Sequence, residues 1–161
     1  MMCPSAIRLR HEPPISDLVY LVDTNVISAA APGRPVSAAL VEWMDAQSAS
    51  LFISVVTVAE IEDGIAKLRR DGATRKSADI AAWLETVVHL YSDRILPFDI
   101  EAARIAGALT DRARGLGHAP GFADIIIAAT ARRHQLIILS RNLRHFEPLG
   151  VAVRDPFAAL P

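Results

Sequence analysis

A single cysteine, Cys3, is present in the 161 residues, so no disulfide can form within the chain, and a reducing compartment is the simpler reading. No apolar run approaches the ~20 residues of a membrane span. The first seventeen residues, MMCPSAIRLRHEPPISD, also lack the apolar centre of ~7–15 residues that a secretory signal needs. A cytoplasmic protein is expected. Surplus charge of either sign is missing too: Lys and Arg total 17 against 18 Asp and Glu, a net charge of -1. A free-standing nucleic-acid scavenger would carry a basic excess, whereas an RNA enzyme whose own acids hold cations need not. The five histidines fall at no spacing such as H-x-x-x-H, so no zinc site is expected. Gly115 and Gly117 do not make a nucleotide loop, because they follow a helical stretch and Pro120 stands where a third glycine belongs.

What the sequence does have is apolar content: 52% hydrophobic residues and a mean hydropathy of +0.28. That suffices for one core, and a single domain is the expectation. Abundant Ala, Ile and Val point to helices or strands covered on both faces, hence a layered α/β arrangement. Residues 1–17, with Pro4, Pro13 and Pro14 and no hydrophobic period, read as a flexible, dispensable N-terminal tail, and residues 18–161 as the domain.

LVYLVD at 18–23 is a β-prone run ending in an acid and reads as the first strand. Pro32, Gly33 and Pro35 interrupt the chain before a helical period at Val36, Ala39, Leu40, Trp43 and Met44. LFIS at 51–54 is the next strand. The spacing of Val55, Val58, Ala59, Ile61, Ile65 and Leu68 predicts an amphipathic helix ending at Arg70. After Asp71-Gly72 a second helix over 73–91 turns Ile80, Trp83, Leu84, Val87 and Val88 inward, and the two form a protruding hairpin with an apolar surface for a partner. RILPFD at 94–99 offers a brief strand, and 100–114 a helix stopped by Gly115 and Gly117. FADIIIAATARRH is ambiguous by period, since three isoleucines suit a strand, but its length and Ala-rich continuation favour a buried helix. LIIL at 136–139 and VAV at 151–153 complete a strand–helix alternation that implies a central, mostly parallel sheet between helices.

In such sheets ligands gather beyond the carboxyl ends of the strands, so acids found there are candidates for chemistry. Three stand out: Asp23 after the first strand, Glu60 in VAEIEDGI, and Asp124 at the start of ADIIIAA. Each has a plain structural reading. Asp23 can cap the next helix, with Thr24 and Asn25 as further caps. Asp124 can answer the dipole of its own helix, and Glu60, beside Glu62 and Asp63, can be a solvated helical residue. Chemistry needs all three in one cleft, their repulsion relieved by a divalent cation. Mg²⁺ or Mn²⁺, with hard oxygen ligands and several retained waters, suits such a site and suits phosphodiester hydrolysis. Arg132, Arg133, Arg141 and Arg144 follow Asp124 closely and are candidates for phosphate contacts, solvated surface charge being the alternative. His118, His134 and His145 read as surface or packing residues.

Taken in order, YLVDTNVIS, SVVTVAEIEDGI, RILPFD and ADIIIAATARRHQLIILSRNLRHF resemble the PIN domain over about residues 20–157, in particular the VapC and FitB-like toxins of bacterial toxin–antitoxin pairs. The resemblance implies a three-layer α/β/α fold, RNA as the substrate, and Asp23, Glu60 and Asp124 as metal-binding catalytic acids. Many relatives carry a fourth acid after the last core strand, and others an asparagine; this chain has Ser140-Arg141-Asn142. Asn142 can position water or phosphate but adds no negative charge. The resemblance further implies a homodimer and a cognate small antitoxin, which would supply DNA binding, so that DNA is met only indirectly; no membrane partner is expected.

Two other functions compete. A haloacid-dehalogenase-like phosphatase also opens with a strand and an Asp, but it reads DxD where this chain has Asn25. It also needs a later lysine near the phosphoryl group, while Lys67 and Lys76 both lie in the helical hairpin. A PIN-like scaffold that binds a partner without cutting is the other alternative. Three uncompensated acids in one cleft count against it, being costly unless a cation uses them.

Overall fold

The computed structural model describes residues 18–161; the expected tail at 1–17, with Cys3, lies outside the described residues. Five short apolar segments become strands: β1 (Tyr20–Val22), β2 (Leu51–Ser54), β3 (Ile95–Leu96), β4 (Ile137–Leu139) and β5 (Val153–Arg154). All neighbours run parallel, in the order β3-β2-β1-β4-β5. Between them run α1 (Thr24–Ile27), α2 (Ala38–Ala46), α3 (Val55–Arg70), α4 (Thr74–Tyr91), α5 (Ile100–Gly115), α6 (Phe122–His134) and α7 (Leu143–Phe146).

Strand residues alternate between the two faces of the sheet, and each face has its own core. Leu21 and Ile138 pack with Leu109, Ile125 and Phe146 on one side. Tyr20, Val22 and Leu139 pack with Ile53, Ile61, Ile65, Leu84 and Val87 on the other. This explains why the central strands read as unbroken apolar runs: neither face meets water. The same burial accounts for the ambiguous isoleucines. Ile125 to Ala131 are all buried in α6, so the helix has no wet face over this stretch and shows no helical period.

Several local expectations shift. Val55 and Ala59 are exposed, while Thr57 is buried in the same turns of α3. The hairpin of α3 and α4 turns Ile61, Ile65, Leu84 and Val87 into the core on one side of the sheet, while Val55 and Leu90 remain exposed on it. The last strand falls at Val153–Arg154 rather than 151–153. No helix among the described residues is long and apolar enough to cross a membrane.

Arg133 is already committed within the fold. Asp99 caps α5 by accepting from the Ala102 N–H at 2.9 Å, and Arg133 of α6 reaches the same carboxylate at 2.7 Å and also pairs with Glu101. The Ala102 bond first, and Arg133 next, hold the Asp99 carboxyl below its usual range. A depressed folded pKa means the contribution is present above the unfolded value, about 3.9, and lost as pH falls through the folded one. Asp99→Ala is therefore expected to lower the melting temperature at pH 7. The difference from wild type should shrink in acid below the ordinary aspartate range, as thermal melts across pH would record.

Candidate metal centre

β1 sits between β2 and β4, and the chain leaves it in opposite directions on its two sides, which makes its carboxyl end a topological switch point. The first residue beyond β1 is Asp23. Its N–H donates to the Leu139 carbonyl at 3.0 Å, extending the sheet pairing by one residue before α1 begins. Asp23 is also the N-cap of α1, accepting from the Thr24 N–H at 2.7 Å through Oδ1. Capping and a place at the switch point are thus not alternatives; one carboxylate does both.

The second oxygen of Asp23 is held just as firmly. Oδ2 accepts from the Asn25 amide at 2.7 Å and from the Ser140 hydroxyl at 2.6 Å. The Ser140 oxygen in turn accepts from the Asn25 amide and from the Asn142 N–H, each at 3.0 Å, and the Asn25 carbonyl accepts from the Arg141 N–H at 3.1 Å. The turns after β1 and β4 are therefore locked together by buried Asp23 and Ser140, with Asn25 as a bridge. Ser140 and Asn25 were legible only as parts of motifs, because their roles depend on pairing β1 with β4. Ser140→Ala removes a donor that orients the carboxylate, and such outer groups typically matter by about 10–100-fold in metal affinity or activity. Should the cleft hold a divalent cation, a loss of that size in Mn²⁺ affinity is expected for Ser140→Ala, with some loss of stability from the partners left unpaired at Asn25 and Asn142.

Glu60 comes from the second turn of α3, whose start is fixed by Ser54 capping the Val56 N–H at 3.2 Å. Its carboxylate accepts a hydrogen bond from the Thr24 hydroxyl. Asp124 lies in the first turn of α6 with the His145 Nδ1 atom 3.1 Å from its Oδ2. His145, read from the sequence as a surface or packing residue, thus reaches one of the candidate acids. Asp23, Glu60, Asp124 and Asn142 line one open cleft of about 280 Å³, together with Thr24, Asn25, Ser28 and Arg34. Arg133 stands outside it in its ion pairs, and Arg141 lies over the Phe157 ring at 4.6 Å.

Burial is the largest influence on the Asp23 carboxyl and raises it above the usual range. The Ser140 and Thr24 bonds pull it down, and the negative charges of Glu60 and Asp124 push it up again. Three acids therefore act electrostatically on a common space. Among the described residues no three Asp, Glu, His or Cys side chains close into a ready-made metal cage. The donors around the cleft are instead carboxylate, amide and hydroxyl oxygens spaced about an open volume. That set fits a hard divalent cation that keeps several waters and takes only a few protein oxygens. It does not fit zinc, which asks for nitrogen or sulfur donors in a tetrahedron.

Comparison with known proteins identifies the family. The PIN domain family profile matches residues 20–149. The VapC ribonuclease Y4jK of Sinorhizobium fredii is 35% identical over 141 residues, covering 86% of this chain and 98% of that protein. Toxin FitB of Neisseria gonorrhoeae is 33% identical over 140 residues, covering 86% of this chain and 99% of its own. The crystal structure of FitAcB from Neisseria gonorrhoeae superposes with a TM-score of 0.75 at 35% identity, covering 86% of this chain and 99% of that one. The chain belongs to the PIN-domain family, in its VapC- and FitB-like group.

Proposed function

We propose that this protein is a metal-dependent endoribonuclease, the toxin of a toxin–antitoxin pair. The observation that carries the reading is the meeting of Asp23, Glu60 and Asp124 at one cleft beside the switch point of the sheet. The ribonuclease and toxin relatives support it. Asp23, Glu60 and Asp124 would hold Mg²⁺ or Mn²⁺ through carboxylate oxygens. The chemistry such a cation supplies when bound is activation of water and neutralisation of charge growing on the phosphate and leaving oxygen.

The remaining work belongs to the chain. Ser140, Asn25 and the Thr24 N–H keep the Asp23 carboxylate in one orientation, so that no reorganisation accompanies the reaction. The Thr24 hydroxyl and His145 do the same for Glu60 and Asp124. Asn142, exposed at the rim, has an amide suited to orienting water or a phosphate oxygen. Arg34 lines the cleft from the segment before α2 and supplies a cation toward an incoming phosphodiester.

Partners follow from the same reading: a cognate antitoxin, which would bring DNA binding, and a second copy of the chain. Leu116 and Phe122, 57% and 72% exposed, leave apolar surface near the turn between α5 and α6. The test of the function is cleavage of a single-stranded oligoribonucleotide by the purified chain with Mg²⁺ or Mn²⁺ and with chelator, alongside light scattering. Cleavage that needs the metal and a dimeric mass support the reading. No cleavage in the presence of either ion, by a folded protein, leaves only a partner-binding scaffold.

A further inference from the structure

Next to the catalytic cleft, and sharing Thr24, Ser28, Arg34 and Glu60 with it, lies a larger pocket of about 490 Å³ between α3, α4 and the segment leading to α2. Its volume falls within the roughly 300–1,000 Å³ of small-ligand sites. Ile61, Ile65, Ile80 and Trp83 make its apolar wall, with Trp83 half-buried. Lys67 and Lys76, the only two lysines of the sequence, both line it, and Arg34 stands where the two cavities join. Against these three cations are Asp71 and Glu60, and Glu60 already belongs to the acidic site.

Gly64 also lines this pocket, one helical turn beyond Glu60 in α3. A glycine inside a helix costs about 1 kcal/mol relative to alanine. Packing does not demand it, since a Cβ there would meet nothing within 4 Å, and its φ is not positive. The fold gains no contact from the missing side chain. The opening it leaves is a place where something outside the chain can approach the helix closely.

We propose that this pocket seats a nucleotide of the RNA flanking the scissile phosphate, its base against Trp83 and the isoleucines and its backbone near Lys67, Lys76 and Arg34. The proposal rests on the ribonuclease reading above and adds to it where the substrate chain runs. An apolar wall with an aromatic ring gives stacking without demanding one base. A cationic edge continuous with an acidic, cation-binding cleft suits a polyanion that crosses both.

The test uses the full chain and a fluorescein-labelled single-stranded oligoribonucleotide, with anisotropy as the readout. Gly64→Phe projects a ring from a pocket wall at a position where an added Cβ meets nothing within 4 Å; it is expected to weaken RNA binding at least about tenfold, as stacking loss alone allows. Hydrolysis of bis(p-nitrophenyl) phosphate, which has no flanking nucleotide, should remain at the wild-type rate, and Gly64→Ala should bind as wild type does. Lys67→Ala with Lys76→Ala should reduce the slope of log Kd against log salt by about 1.4, at about 0.7 for each phosphate contact on a single strand. If Gly64→Phe binds the oligoribonucleotide as wild type does, the proposal is overturned. If it instead loses only a co-purifying small protein, the occupant is that partner rather than RNA. Binding that responds to these variants in a protein that cuts no RNA supports the pocket and fails the ribonuclease reading.

Discussion

Asp23→Asn is expected to cut RNA cleavage by more than about a hundredfold, since it removes charge at the centre of the site while keeping its shape. Its effect on stability is less obvious. Burial, and the negative Glu60 and Asp124, raise the folded pKa of Asp23 above its unfolded value. Between those values the folded state binds more protons, so stability falls as pH rises through the folded pKa, and the ionised carboxylate costs stability at pH 7. Charge alone therefore favours the asparagine. The hydrogen bonds oppose it: both oxygens of Asp23 accept, from Thr24, Asn25 and Ser140, and asparagine offers one oxygen where two are in use. A donor left facing an amide costs about 1–3 kcal/mol. The expected outcome is a folded, inactive protein no more stable than wild type. Initial rates with Mn²⁺ and urea denaturation of the apo protein check both parts.

Mn²⁺ or Mg²⁺ is expected to stabilise the wild-type fold by about 2.7 kcal/mol at a free concentration about a hundredfold above Kd. For a domain of this size that is roughly a 5–10 °C rise in melting temperature. Asp124→Asn should remove most of that rise while leaving the apo melting temperature within about 1–2 °C, because its carboxylate is partly exposed and leaves no cavity when replaced. Asn142→Asp should act in the opposite direction. It adds a fourth carboxylate at the rim of the same cleft, so Mn²⁺ should bind more tightly and the metal-induced rise should appear at lower concentration. Differential scanning calorimetry of the three proteins across Mn²⁺ concentrations separates these outcomes. A rise of equal size in wild type and Asp124→Asn would place the cation elsewhere.

Most of the architecture was legible because it rests on local signals. LFIS became β2 at the expected residues, and α3 runs from Val55 to Arg70, bounded by a serine cap and by Asp71-Gly72. The parallel α/β arrangement follows from strand–helix alternation and appears as a five-stranded parallel sheet. Less legible were α1 and α7, four residues each, since a single helical turn carries no period. The apolar stripe of the hairpin was visible, but which of its residues pack toward the sheet and which stay open was not.

At the site, the acids could be singled out by position, because strand ends and first helical turns are visible in sequence. The groups that hold them could not. Ser140 reaches Asp23 across 117 residues and Asn25 reaches Ser140 across 115, contacts that exist only because Tyr20 pairs with Ile137 in the register of β1 and β4. His145 against Asp124 depends likewise on packing of α7 on α6. Arg133 shows the converse: its nearness to Asp124 in sequence left phosphate contact and solvated surface charge both open, whereas it lies at the far end of α6, one partner of a pair that fastens α5.

In the proposed function Asp23, Glu60 and Asp124 share a divalent cation on which RNA cleavage depends. Calorimetric titration of Mn²⁺ into wild type and Asp23→Asn, with cleavage measured on the same samples, tests this most directly. Saturable binding and cleavage by wild type, with both lost or weakened at least about tenfold in the variant, is the expected result. An Asp23→Asn protein that binds Mn²⁺ as tightly as wild type and still cuts RNA would contradict it.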